Sequence, residues 1–139
     1  MTLLDLIKKL EDAAISQPQV NEIVPSDVYQ LNERAGVMYG VFAWTQGQHV
    51  KDFVLGMTAY TFNLFYIDRL TADHKNKIEI QSVGLQVLGN ILWTFAPLMG
   101  VSTARFQPFT ERFADECAGV YCTVTLTVPD DTNCEQLFS

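Results

Sequence analysis

The sequence predicts an α+β domain, with an antiparallel sheet of four to five strands and two helices packed mainly on one face. Three observations carry that expectation. Residues 77–96 repeat apolar side chains at three- and four-residue steps, whereas 35–44, 51–69 and 120–128 alternate with a period of two. These patterns come in runs: helix, two or three strands, long helix, two strands. At 139 residues the chain has the length of one domain, with 129–139 as a C-terminal tail. A chain of this size buries roughly two thirds of its unfolded surface, so it needs no metal or disulfide to fold.

Thr2 is placed to cap the first helix, with Asp5 in the first turn. Leu3, Ile7, Leu10 and Ala14 mark its apolar face, and Lys8, Lys9, Glu11 and Asp12 its wet side. The helix runs to Ile15 before Gln17-Pro18-Gln19 stops it. Residues 21–32 form a connector with Pro25-Ser26-Asp27 as turn signal and a short edge strand at 22–24. From Ala35, Val37, Tyr39, Val41 and Ala43 alternate with Met38, Gly40, Phe42 and Trp44, so both faces of this strand are nearly apolar. Residues 45–49, which include Gly47, are expected to turn the chain. The extended run 51–69, broken near Gly56, sends Met57, Ala59, Thr61, Asn63, Phe65 and Ile67 one way. Tyr60, Phe62, Leu64 and Tyr66 point the other way, and a strand this aromatic belongs in the middle of its sheet.

Asp68, Arg69 and Asp73 lead into the long helix, with Asp73 capping a preliminary turn and an arginine–carboxylate fork fastening the junction. Ile80, Val83, Val87, Ile91 and Phe95, widened by Leu88 and Leu92, make the helix face that meets the sheet. Gln81, Gln86 and Asn90 fall opposite, and Pro97 ends the helix. Gly84 and Gly89 each cost about 1 kcal/mol relative to alanine there. Close packing of helix on sheet is the reason expected for both. After a loop through Gly100, strands are expected at 103–113 and 120–128, joined by a loop at 114–119. In the last strand Tyr121, Thr123, Thr125 and Thr127 form the wet set against Val120, Cys122, Val124, Leu126 and Val128.

A net charge of −7 offers no electrostatic footprint for a nucleic-acid backbone. No apolar run reaches the ~20 residues that cross a bilayer. The N-terminal stretch lacks a signal-peptide core and reads as that of an intracellular product. Cys117, Cys122 and Cys134 follow no zinc spacing, and neither His49 nor His74 has a ligand partner at helical spacing. Cys122 reads as a packed thiol and Cys117, before Gly119, as the exposed one. Phosphate-cradling glycine loops and nucleophile–histidine contexts are missing, so no enzyme, metal or cofactor is expected. Two competing readings stay open. One is a small intracellular enzyme using Cys117 or the Asp68, Arg69 and Asp73 cluster with a histidine; the other is a ligand-binding α+β module.

Charged residues make up 18% of the chain, below the usual quarter, which points to surface covered by other protein. Phe42, Trp44, Phe53, Tyr60, Phe62, Phe65 and Tyr66 exceed what a helix-on-sheet core requires. The second sheet face is therefore expected to be apolar and to be covered by partners, with a ring of like subunits as the simplest cover. Trp44, Gln46, Tyr60, Phe62, Arg69, Arg105, Arg112 and Asp115 are the candidate subunit-interface residues, with the loops around Gln46 and Asp115 as contact points.

Three segments matter together: FYIDRL at 65–70, IEIQSVGLQVLGNIL at 78–92 and PFTERFADECAGVYCTVTLTVPDD at 108–131. Their combination resembles small neck or tail-completion proteins of tailed phages and prophages of Bacteroidales-type bacteria, and the element order is similar to that of the wider tail-terminator family. The resemblance covers about 39–131; the first helix matches by its place in the order alone. It implies a structural virion protein, made in the bacterial host cytoplasm, that forms a homo-oligomeric ring (a hexamer or a dodecamer). Such a ring joins the head-side connector to the tail, with other neck and tail proteins as partners. It implies no membrane, no cofactor and no catalytic residue. DNA would pass through the lumen without specific binding, and an acidic wall suits that passage because cationic walls would hold the phosphates.

Overall fold

The computed structural model describes residues 1–24, 40–100, 103–112 and 116–130, with 111 and 112 described by their backbone. Helix α1, Leu3–Ile15, begins at the capping box the sequence predicts. Thr2 Oγ1 accepts from the Asp5 N–H at 3.2 Å, and the Thr2 N–H donates back to Asp5 Oδ2 at 2.9 Å. Leu6, Leu10 and Ala14 are its buried residues, so the inward face is centred on Leu6, with Leu3 and Ile7 half-buried at its margins.

Among the described residues six strands form one sheet, in the order β1-β2-β4-β6-β5: β1 is Glu22–Val24, β2 Val41–Gln46, β4 Met57–Arg69, β6 Glu116–Pro129 and β5 Phe106–Arg112. The sixth, β3 (Val50–Asp52), pairs with the first residues of β4. All neighbours run antiparallel except β1, which lies parallel to β2 with Glu22 opposite Val41. The α+β class is as expected. The strand count exceeds four to five because the break at Gly56 separates β3 from β4, and one pair is parallel. Of the strand expected at 35–44, residues 35–39 lie outside the described residues, and β2 continues past Trp44 to Gln46.

Residues 45–49 do not turn the chain. Gln46 faces Phe62 and Val50 faces Ala59, so three residues (47–49) oppose two (60 and 61). This is a one-residue bulge in a continuous β2–β3 ribbon. The Gly47 N–H donates to Thr61 O at 2.8 Å, and the Thr61 N–H donates to His49 Nδ1 at 3.2 Å. A Cβ on Gly47 would stand 2.9 Å from Thr61 Cγ2, so the glycine serves close approach and not reversal. Reversal comes at 53–56, where Gly56 takes φ +64°.

Strands β4 and β6 pair along their whole length, from Met57 opposite Pro129 to Arg69 opposite Cys117. Strand β6 therefore starts at Glu116, inside the loop expected at 114–119. Gly119 is the reason the expectation fails. Glycine reads as a breaker, yet here a Cβ would stand 1.9 Å from the carbonyl oxygen of Tyr66, a proximity only glycine allows in a strand interior.

Helix α2, Lys77–Phe95, lies across β4 and β6 and buries Ile80, Gly84, Val87, Leu88, Ile91, Leu92 and Phe95, close to the face its period predicts. Pro97 falls in a single 3-10 turn, Ala96–Leu98, that follows it. A Cβ on Gly84 would stand 2.6 Å from Val120 Cγ2 and 3.1 Å from Tyr66 Cδ1, so this glycine does serve helix-on-sheet contact. Gly89 does not, since a Cβ there would meet nothing within 4 Å. Both helices share one side of the sheet. Leu6 and Leu10 of α1 join Leu88 and Ile91 of α2 and Phe42, Trp44, Phe62, Tyr66 and Leu126 of the strands in one core. Trp44 Nε1 donates to Glu11 Oε2 at 3.3 Å, tying β2 to α1.

Candidate contact surface

The β3–β4 turn carries Phe53, Val54 and Leu55, which are 88%, 94% and 70% exposed. Three large apolar side chains in succession on a turn make an exposed apolar patch, a feature that is uncommon on a monomer surface. The turn is well held. Asp52 Oδ1 accepts from the N–H groups of Val54 at 2.9 Å and Leu55 at 3.0 Å, an Asx turn that closes the tip from below. The Asp130 N–H donates to Gly56 O at 2.8 Å. The carboxylate of Asp130 accepts from the Thr58 hydroxyl and, at 3.4 Å, from Lys51 Nζ, so the end of β6 braces the hairpin base.

Those bonds, the Thr58 hydroxyl first and then Lys51, hold the Asp130 carboxyl below its ordinary value of 3.8. A depressed carboxyl contributes stability that is complete above the unfolded value and is lost as pH falls through the lower, folded one. Asp130→Asn is expected to lower the thermal midpoint at pH 6, and the gap to the parent should close on acidification below 3.8. Melting curves across that window check it; a gap independent of pH would mean the carboxylate does not brace the turn.

A second apolar feature lies where α2 meets β5. Gly89, Leu92, Trp93, Ala96, Met99 and Phe106 line a groove of about 260 Å³. Trp93 stands 79% exposed on its rim. The bare Gly89 leaves the helix surface flat beside it. Ile78 and Leu85, 71% and 47% exposed, continue the apolar stripe along the outward face of α2. Met99 bridges to Leu126, and Phe106 pairs with Cys122, so the groove walls are fastened to β6.

The predicted contact residues that the structure describes do not gather in one patch. Trp44 and Phe62 lie inside the chain's own core at 4% and 0% exposure, with rings edge to face at 6.3 Å, so neither presents surface to a neighbour. Gln46 and Tyr60 meet at the bulge: Gln46 Oε1 lies 2.8 Å from His49 Nε2, and the Tyr60 ring 5.3 Å from the imidazole. Arg69 is exposed at the other end of β4 from the tip, and Arg112 ends β5 at that same end, opposite Glu116. Arg105 is exposed just before β5, one residue from Phe106 of the groove. Asp115 lies outside the described residues.

The outer sheet face also differs from expectation. Its middle is a polar ladder: Asn63 Nδ2 donates to Thr45 Oγ1 at 3.0 Å, Thr123 Oγ1 donates to Asn63 Oδ1 at 2.7 Å, and the Thr61 and Thr125 hydroxyls lie 3.2 Å apart. Apolar side chains on this face collect toward one end, where Phe65, Phe109 and Tyr121 pack ring to ring beside buried Val41, Ala43, Ile67 and Cys117. Among the described residues the exposed apolar surplus is therefore concentrated on the hairpin tip and the α2 stripe, with Val50 of β3 and Leu4 and Ile15 of α1 exposed besides.

Reactive groups are placed as follows. Cys117 is a strand residue with no exposed surface, against the expectation of a loop thiol. Cys122 is packed as expected, and burial pushes its thiol up to about 12. Cys134 lies outside the described residues. His74, at φ +57°, sits 2.6 Å through Nε2 from Glu116 Oε2, on the wall of a cleft of about 600 Å³ that also borders Lys75 and Lys77. The β4–α2 junction is fastened by Asn76, whose amide donates to Arg69 O at 3.0 Å and accepts from the Thr71 N–H at 2.9 Å. Asp73 closes the preliminary turn by accepting from the Thr71 hydroxyl at 2.7 Å and from the Lys75 N–H at 3.2 Å. Among the described residues no group of three or more His, Cys, Asp or Glu is arranged to hold a metal ion. No described helix is long and apolar enough to cross a membrane.

No protein-family model matches the chain, and no curated protein is significantly similar to it.

Proposed function

We propose that this protein is a structural subunit of a tailed-phage neck or tail junction, a tail-terminator or head–tail connector type of ring component that joins the head-side connector to the tail. The observation that carries the reading is the braced hairpin tip with Phe53, Val54 and Leu55 almost fully exposed. An apolar tip held by an Asx turn and by Asp130 is built to be buried by another protein. The low charged fraction of 18%, the exposed Trp93 and the three segments that resemble phage neck proteins support the same reading. Like subunits in a ring, a hexamer before a dodecamer, bury such a surface with one repeated contact. The net charge of −7 suits a lumen that lets DNA slide.

Mass spectrometry of purified phage particles from a host whose genome carries this sequence is expected to find the chain in the virion, in multiple copies per particle. Its absence from particles, together with a chain that stays monomeric in light scattering, would end this reading. A reconstructed ring whose inner wall is strongly basic would remove the account of the lumen.

A further inference from the structure

We infer that the Phe53-Val54-Leu55 tip of one subunit seats in the Gly89–Trp93–Phe106 groove of the next copy of the same chain. The inference rests on the ring reading for its setting and on four observations for its content. First, among the described residues, exposed large apolar side chains gather at the tip and at the groove: Phe53, Val54 and Leu55 on one, Trp93 with the Leu85 and Ile78 stripe on the other. Second, the sizes agree. The groove holds about 260 Å³, and an apolar cavity of roughly 150 Å³ already takes up a benzene ring, so a phenyl group with a neighbouring aliphatic side chain fits.

Third, a chain cannot fill its own groove. The tip continues β3 and β4, whereas the groove abuts β5 on the far side of β6. At 4.7–4.9 Å per strand, β3 and β5 stand about 14 Å apart with two strands between them. The two features face different neighbours, which makes the contact head-to-tail, and a head-to-tail contact closes into a ring when its rotation allows. Fourth, the rims carry opposite charge. Asp52, whose Oδ1 caps the tip, is exposed at its base, and Arg105 is exposed beside Phe106 at the groove. Such a rim pair orients the approach while the aromatic tip supplies the anchor.

A photoreactive phenylalanine analogue replacing Val54, 94% exposed and free to change without disturbing the core, tests this directly. An equal mixture of heavy- and light-isotope protein is irradiated at about 1 mM, a concentration that populates even a contact with a Kd near 1 mM. Intermolecular adducts are expected on residues 89–96 or on Phe106, and Phe53→Ser with Leu55→Ser should cut adduct yield in the labelled chain by about tenfold or more, as removal of a central aromatic anchor does. Gly89→Trp, which fills the groove from a site with no neighbour within 4 Å, should cut it as deeply while leaving the fold intact. No intermolecular adduct, or adducts elsewhere on the chain, overturns the inference. Binding of the parent to phosphatidylcholine vesicles that the Phe53→Ser, Leu55→Ser variant loses would assign the tip to a lipid surface and also overturn it. Absence from virions would end the phage reading while leaving these adducts in place, so the two failures are distinguishable.

Discussion

Gly119→Ala is expected to cost on the order of 4 kcal/mol of folding stability, at the upper end for a single substitution. A methyl group there would stand 1.9 Å from the Tyr66 carbonyl oxygen and 3.0 Å from its carbon. Gly119 faces Ile67 of β4 on one side and Phe109 of β5 on the other, and backbone atoms held between two neighbouring strands cannot step aside as a flexible side chain can. Relief requires β4 and β6 to separate, and that pairing runs unbroken from 57 to 69 against 117 to 129. Domains of this kind have only about 5–15 kcal/mol in total, so the substitution should remove a large share of the stability and lower the denaturation midpoint clearly. Urea denaturation followed by circular dichroism checks it. Gly89→Ala is the control: its Cβ meets nothing within 4 Å, and alanine gains up to about 1 kcal/mol over glycine in a helix interior. A Gly119→Ala protein as stable as the parent would show that the two strands do not approach this closely.

Phe62→Ala is expected to destabilise the single chain by about 3–5 kcal/mol, through lost transfer energy and the cavity left under the helices. Phe62 has no exposed surface, packs edge to face on Trp44 at 6.3 Å and sits in the core that both helices cover. The loss should appear in full at dilutions where no assembly exists. If the monomer kept its stability and only self-association weakened, Phe62 would be a contact residue and its place in the core would be wrong. The Phe53→Ser and Leu55→Ser changes on the tip should behave in the opposite way, leaving the monomer nearly unchanged.

Much of the helical structure was legible because its signals are local. Thr2 and Asp5 form a capping box whatever the rest of the chain does, and α1 ends at Ile15 as its period and Pro18 require. The face of α2 follows from residues a few positions apart. The strands were legible as strands, and the wet threonines of β6 against its apolar partners came out as alternation predicts. What misled was glycine and the aromatic surplus. Gly47 and Gly119 read as turn and loop signals, and both are close-approach sites, one in the bulge between β2 and β3 and one inside β6, where the reason is an atom of Thr61 or Tyr66 far away in sequence. The aromatic surplus suggested an apolar second sheet face; Trp44 and Phe62 turned inward, and Phe53 took the exposed tip instead. DFVLG at 52–56 held the one sequence signal for that tip, three apolar residues between an aspartate and a glycine.

By itself the sequence determined the class of the fold, the two helices with their inward faces, and the long paired strands, since each rests on spacing within one segment. Only the tertiary structure decided which glycines are turns and which are contacts, which aromatics are core, and where the uncovered apolar surface stands. Those depend on which strand lies beside which: a missing Cβ or an exposed ring acquires its meaning from the atoms opposite it, and no single segment contains them.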